Sequence, residues 1–210
     1  MKLSASFLSI KNNIKDNINI LDKCNIDYLH LDIMDGQFVQ NKTFTIDEAK
    51  ILLDGTTKPK DVHLMVKDVK KYIDEFSTLN PIYITFHFEA TYDHEEIIEY
   101  IKSKNIKVGI SIKPNTDIVS IIPFLSLVDL VLIMSVEPGQ GGQEFIEEVT
   151  SKIDILKGLR DDNEYYRYVI EVDGGIDDET IELCNNADIA VVGSFVTNSN
   201  NYQEQINRLK

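Results

Sequence analysis

Eight short apolar runs, each closed by a polar or glycine turn and followed by residues in helical spacing, constrain this chain most. The runs cover 3–8, 28–34, 61–66, 82–87, 108–112, 130–134, 168–172 and 189–192. After the first, Ile14, Ile18 and Leu21 recur at helical spacing. Comparable patterns cover 46–53, 68–79, 94–104, 118–127, 147–159 and 178–185, and a last helix after Asn201 carries Ile206 and Leu209. Strand then helix, repeated with short connections, implies a parallel sheet, because a parallel neighbour is reached only through a crossover. Eight repeats predict an α/β architecture closed into a single (β/α)8 TIM barrel, one catalytic domain over residues 1–210. The competing architecture is an open doubly wound sheet, which would gather its glycines and polar residues at one switch point. Here they follow most of the strands. Residues 130–134 are apolar throughout, as suits a strand buried on both faces. Pro123 predicts that the helix over 118–127 is kinked or divided.

Apolar residues make up 43% of the chain, enough for a substantial core, and no apolar run is long enough to span a membrane. The first residues meet Lys11 and Asp16 too soon for a signal peptide, so the expected setting is cytoplasmic. Cys24 and Cys184 lack metal-ligand spacing and read as reduced core thiols. A formal charge of −14 argues against a nucleic-acid partner, which would want a basic stripe. An anionic substrate would be repelled by the mean field, so backbone N–H groups must hold it locally.

Side chains two apart on a strand share a face. His30, Asp32 and Met34 therefore point one way and Leu29, Leu31 and Ile33 the other. The strand stops at Asp35-Gly36, which places the polar row at its C-terminal end, and Asp35 reads as turn chemistry. In a barrel that end carries the active site. Other strand ends supply Ser6, His63, His87, Asp173 and Ser194, with Met65 and Met134. Any one histidine alone is more simply a satisfied structural residue. Together, His30, Asp32, His63 and Asp173 form a donor set suited to one divalent ion: zinc, manganese, iron or cobalt. His87 is a spare at a strand end, and His94 starts a helix.

Three glycine groups follow the sixth, seventh and eighth strands: Gly139-Gln140-Gly141-Gly142, Asp173-Gly174-Gly175 and Gly193-Ser194. One such group alone would be an ordinary turn. Three at these strands predict a phosphate site of backbone donors, with no lysine or arginine inside the groups. Met34 and Met65 stand beside the proposed ligands as a polarisable wall, and Met134 is either wall or core filler.

The segments 30–36, 61–66, 134–143, 171–175 and 193–194 resemble ribulose-phosphate 3-epimerases, in order and with family-like spacing from Ser6 to Ser194. The resemblance implies a ribulose-phosphate-binding barrel and a metal-dependent isomerase whose metal is held by His30, Asp32, His63 and Asp173. Its expected reaction is C3 epimerisation of a ketose phosphate, D-ribulose 5-phosphate to D-xylulose 5-phosphate in the pentose phosphate pathway. Asp32 and Asp173 become the acid–base pair, and Ser6 a substrate contact. Homo-oligomers are common among such barrels. Allulose 6-phosphate is the alternative substrate, and a non-catalytic sugar-phosphate or metal-binding barrel is the alternative of another class. Related decarboxylases carry an Asp-x-Lys-x-x-Asp motif, for which this chain has His-x-Asp. Ala5, Gln37, Gln40, Phe88, Lys113 and Gln140 depart from the family pattern. None is a proposed ligand, so they bear on substrate preference and loop behaviour.

Overall fold

The computed structural model describes Met1–Lys210. The apolar runs form β1 (Lys2–Ser6), β2 (Tyr28–Met34), β3 (Lys60–Met65), β4 (Tyr83–His87), β5 (Lys107–Ile112), β6 (Leu130–Met134), β7 (Val169–Asp173) and β8 (Ile189–Val192). All are parallel and pair in chain order, and β8 pairs with β1 to close the barrel. The surrounding helices are α1 (Ile14–Lys23), α2 (Ile46–Leu53), α3 (Val69–Phe76), α4 (His94–Ser103), α5 (Thr150–Asp162), α6 (Ser194–Thr197) and α7 (Tyr202–Arg208). The open doubly wound alternative is thereby excluded.

Several boundaries differ from the expectation. β1 ends at Ser6 rather than Leu8, because the chain turns there: the Ser6 hydroxyl accepts from the Leu8 amide at 3.3 Å. The helix expected over 118–127 is two short 3-10 turns, Ile118–Ser120 and Ile122–Phe124. Pro123, which has no N–H to donate, sits at the start of the second. The helix expected over 178–185 is a 3-10 turn, Thr180–Cys184, preceded by an Asp177 carboxylate that accepts from the Glu179 and Thr180 amides. Asp173 belongs to β7, paired with Met134 and Val191. Ser194 opens α6 instead of lying in a loop.

Strand alternation sorts the side chains. Leu29, Leu31 and Ile33 join the main core with α-helical residues such as Ile18, Ile73 and Ile97. The intervening His30, Asp32 and Met34 face the barrel interior. Tyr28, Tyr83, Leu130, Leu132 and Ile189 plug the lower interior, the two tyrosine rings meeting edge to face at 6.1 Å. Cys24 and Cys184 are free and buried. No helix is long and apolar enough to cross a membrane.

Gly109 on β5 pairs with Thr85 on β4. A Cβ at Gly109 would lie 2.1 Å from Thr85 Oγ1, so the buried threonine occupies the space a side chain would need. We expect Gly109→Ala to lower stability by about 1–3 kcal/mol through overpacking, and Gly109→Ala with Thr85→Ser to recover part of the loss. Denaturant unfolding of the two variants checks this.

Candidate active site

Neighbouring strands place the four candidate ligands by register. Asp32 on β2 lies beside His63 on β3, and Ser6 on β1 beside His30. Asp173 ends β7 opposite Met134. One donor atom from each of His30, Asp32, His63 and Asp173 falls within 4.8 Å of all the others. His30 Nε2 is 3.4 Å from Asp32 and 3.9 Å from Asp173. His63 Nδ1 is 3.3 Å from Asp32 and 3.6 Å from Asp173. The Ser6 hydroxyl donates to the other Asp32 oxygen at 2.7 Å.

The charges here hold each other. Burial alone would push the Asp32 carboxyl up, but His30 and His63 outweigh it and hold Asp32 far below the usual carboxylate range. Burial would likewise lower both imidazoles. The carboxylates reverse this: Asp61 and Asp32 raise His30 well above its ordinary value, and Asp173 and Asp32 raise His63. A field that favours protons at these nitrogens also favours a cation in their place, with metal binding displacing the protons. His30 Nε2 is buried and makes no hydrogen bond although it points into the group. Two imidazoles, two carboxylates and this orphaned nitrogen fit a divalent ion.

Above the four residues opens a cleft. Ser6, Asp32 and Asp173 form its floor, and Met34, Met65 and Met134 also line it. Gly139, Gln140, Gly141 and Gly142 line one flank, and Gly174, Gly175, Gly193 and Ser194 another. All the expected substrate contacts except His63 therefore reach the cleft. His30 and His63 lie beneath the floor, 1% and 0% exposed. The amides of Gly141, Gly142, Gly174 and Gly175 donate to no protein acceptor, leaving free N–H groups along the cleft. Gly174 has φ 122°, and a Cβ there would lie 2.4 Å from Val136, so only glycine fits.

Other residues enter the site without having been singled out from the sequence. Leu8, Ser9, Val136 and Val191 line the cleft. Lys11 and Lys42 come to its mouth beside Gly141, Gly142 and Ser194. Asp61 accepts from His30 Nδ1 at 2.7 Å and from the Ser4 hydroxyl at 2.8 Å. Glu171 is fully buried with both oxygens unpartnered, and burial followed by the Asp61 charge pushes its carboxyl well up. Counting back two residues from His63 and Asp173 on their strands reaches Asp61 and Glu171, a signal present in the sequence. His87, set aside as a spare, lies 2.9 Å from His63 through their Nε2 atoms and 3.2 Å from Glu89. Burial brings His87 down to about 4, against the pull of Glu89. Asp35 does turn chemistry as expected, accepting from the Gln37, Phe38 and Lys67 amides. His94 begins α4, also as expected.

Comparison with known proteins finds relatives over nearly the whole chain. The model of the "Ribulose-phosphate 3 epimerase family" matches residues 2–197. The chain is 36% identical over 203 residues to the ribulose-phosphate 3-epimerase of Schizosaccharomyces pombe, covering 94% of this chain and 87% of that one. Its identity to the Bacillus subtilis ribulose-phosphate 3-epimerase is 35% over 210 residues, covering 99% and 95%. For the Treponema pallidum ribulose-phosphate 3-epimerase it is 41% over 169 residues, covering 80% and 77%. Among solved structures, 3-hexulose-6-phosphate synthase from Salmonella typhimurium superposes with TM-score 0.73 at 14% identity, covering 100% of this chain and 96% of that one. That likeness concerns the barrel alone. With matches that run nearly end to end, the chain belongs to the ribulose-phosphate 3-epimerase family and is an isomerase on a (β/α)8 barrel.

Proposed function

We propose that this chain interconverts D-ribulose 5-phosphate and D-xylulose 5-phosphate by moving a proton between the two faces of C3. The observation that carries the reading is the pair of carboxylates, Asp32 from β2 and Asp173 from β7, meeting at the cleft floor with the imidazoles of His30 and His63. One aspartate takes the C3 proton, and the C–H electron pair passes into the C2 carbonyl to give an enediolate. The other aspartate delivers a proton to the opposite face, and the roles exchange in the reverse direction. Two carboxylates supplied by different strands allow this without either having to cross the substrate. Ser6 holds one Asp32 oxygen through its hydroxyl, which fixes the orientation of the carboxylate.

A divalent ion held by His30, Asp32, His63 and Asp173 would supply Lewis-acid polarisation of the carbonyl and offset the enediolate charge. Met34, Met65 and Met134 border the reacting carbons with polarisable, water-excluding surface. The free amides of Gly141, Gly142, Gly174 and Gly175 suit the phosphate, with Ser194 beside them. Lys11 and Lys42 at the mouth offset locally the repulsion expected from a net charge of −14. Relatives named ribulose-phosphate 3-epimerase at 35–41% identity favour the five-carbon substrate.

The wild-type protein should turn over ribulose 5-phosphate and wash solvent deuterium into C3. Asp173→Asn should lower turnover by about 10²–10⁴-fold while sugar-phosphate binding persists. Near-normal activity in that variant would sink the two-carboxylate scheme, and faster turnover of allulose 6-phosphate by the wild type would move the substrate to six carbons. Dialysis against a chelator should abolish activity, with recovery on adding back zinc, manganese, iron or cobalt singly. Full activity in protein found metal-free by elemental analysis would defeat the metal reading. Replacing Lys11 and Lys42 together by serine should raise KM roughly two- to fivefold at low salt with kcat unchanged. Steady-state kinetics at two ionic strengths should show the difference shrinking as salt rises.

A further inference from the structure

Each ligand histidine turns one ring nitrogen away from the centre, and each of those nitrogens is anchored by a carboxylate outside it. His30 reaches Asp61 directly, through Nδ1 at 2.7 Å. Asp61 is itself held by the Ser4 hydroxyl at 2.8 Å and is 1% exposed. His63 is anchored through a longer route. Its Nε2 lies 2.9 Å from His87 Nε2, and His87 Nδ1 lies 3.2 Å from Glu89. Glu89 is fixed in turn, accepting from the Lys113 amide at 2.9 Å and from the Thr116 hydroxyl.

The direction of every proton follows from these partners. An ionised carboxylate only accepts, so Asp61 requires the His30 proton on Nδ1 and leaves a lone pair on Nε2. Glu89 requires the His87 proton on Nδ1. A neutral imidazole has one N–H and one acceptor nitrogen, so with its proton directed at Glu89 His87 accepts through Nε2. His63 must then carry its proton on Nε2, which leaves the Nδ1 lone pair facing Asp32 and Asp173. The two rings thus offer opposite nitrogens, Nε2 of His30 and Nδ1 of His63, to one point.

We infer that Asp61 and Glu89 are positioning residues that lock His30 and His63 into opposite tautomers, so that both lone pairs converge on the centre. The inference rests on the reading of the four residues as a metal site. Outer partners of this kind orient a ligand imidazole and raise its basicity. They also explain why the barrel interior tolerates charged groups that its packing alone would not favour.

The test is nitrogen-15 NMR of histidine-labelled, zinc-loaded protein, which reports the protonated nitrogen of each ring. The expected result is N–H at Nδ1 of His30, Nε2 of His63 and Nδ1 of His87. A proton at Nε2 of His30 or at Nδ1 of His63 overturns the inference while leaving zinc binding intact. In the variants Asp61→Asn and Glu89→Gln an amide can donate where a carboxylate accepted, which favours the wrong tautomer. Zinc affinity, measured by competition with a chelating dye, should fall about 10- to 100-fold in each. Unchanged affinity in both variants, with far-UV circular dichroism like the wild type's, also overturns it. A wild-type protein that takes up none of zinc, manganese, iron and cobalt defeats the metal reading and this inference with it.

Discussion

Asp32 is the group on which the site depends. One oxygen faces the His30 and His63 imidazoles and the other accepts from Ser6, so a single side chain ties β1, β2 and β3 together. A carboxylate only 6% exposed carries a desolvation cost that must be offset by its surroundings. The nearby imidazoles do this, and they need Asp32 and Asp173 for the same reason. Removing any member leaves buried charge without its counterpart. This mutual dependence explains why the four residues are drawn from three strands whose order the barrel fixes.

The scaffold makes such a cluster tenable by enclosing its polar groups, the four residues and, two positions back along the strands, Asp61 and Glu171 with Ser4, in apolar surroundings. Toward the bottom of the barrel Tyr28, Tyr83, Leu130 and Leu132 fill the interior. Outside the strands the core is apolar as well, with Leu31, Val62 and Val172 facing the helices. The cluster is therefore open to solvent chiefly through the cleft, which Asp32 and Asp173 line. Contacts between chain segments shape that entrance: Asn41 donates to the Gly139 carbonyl at 2.7 Å, and the Phe38 ring packs on His87 at 4.9 Å. The loop after β2 thus lies over both the glycine loop after β6 and the outer support of His63.

Much of this was legible in the sequence because strands have a period of two and barrel active sites have a known end. His30, Asp32 and Met34 could be assigned to one face from spacing alone, and the barrel supplied the shared end for His63 and Asp173. The short helices were harder. Apolar spacing over 118–127 and 178–185 matches an α-helix, yet Pro123 and the side-chain bonds of Asp177 turn both into 3-10 segments. Asp61 and Glu171 escaped notice because a charged residue in mid-strand reads as surface until closure of the barrel makes that face interior. Lys11 and Lys42 are distant in sequence from the glycine groups, and only the fold brings them to the same mouth.

The departures from the family pattern also acquire a place. Gln37, Gln40, Lys113 and Gln140 border one shallow cleft beside the active site, between the loops after β2, β5 and β6. Lys113 stacks its ammonium 4.6 Å from the Phe38 ring, and its amide anchors Glu89. Substitution here changes the rim and leaves the floor residues untouched. A main-chain amide is supplied by any residue but proline, so the Glu89 anchor does not require a particular side chain at position 113. The support of His63 is therefore insulated from variation in the rim that borders it.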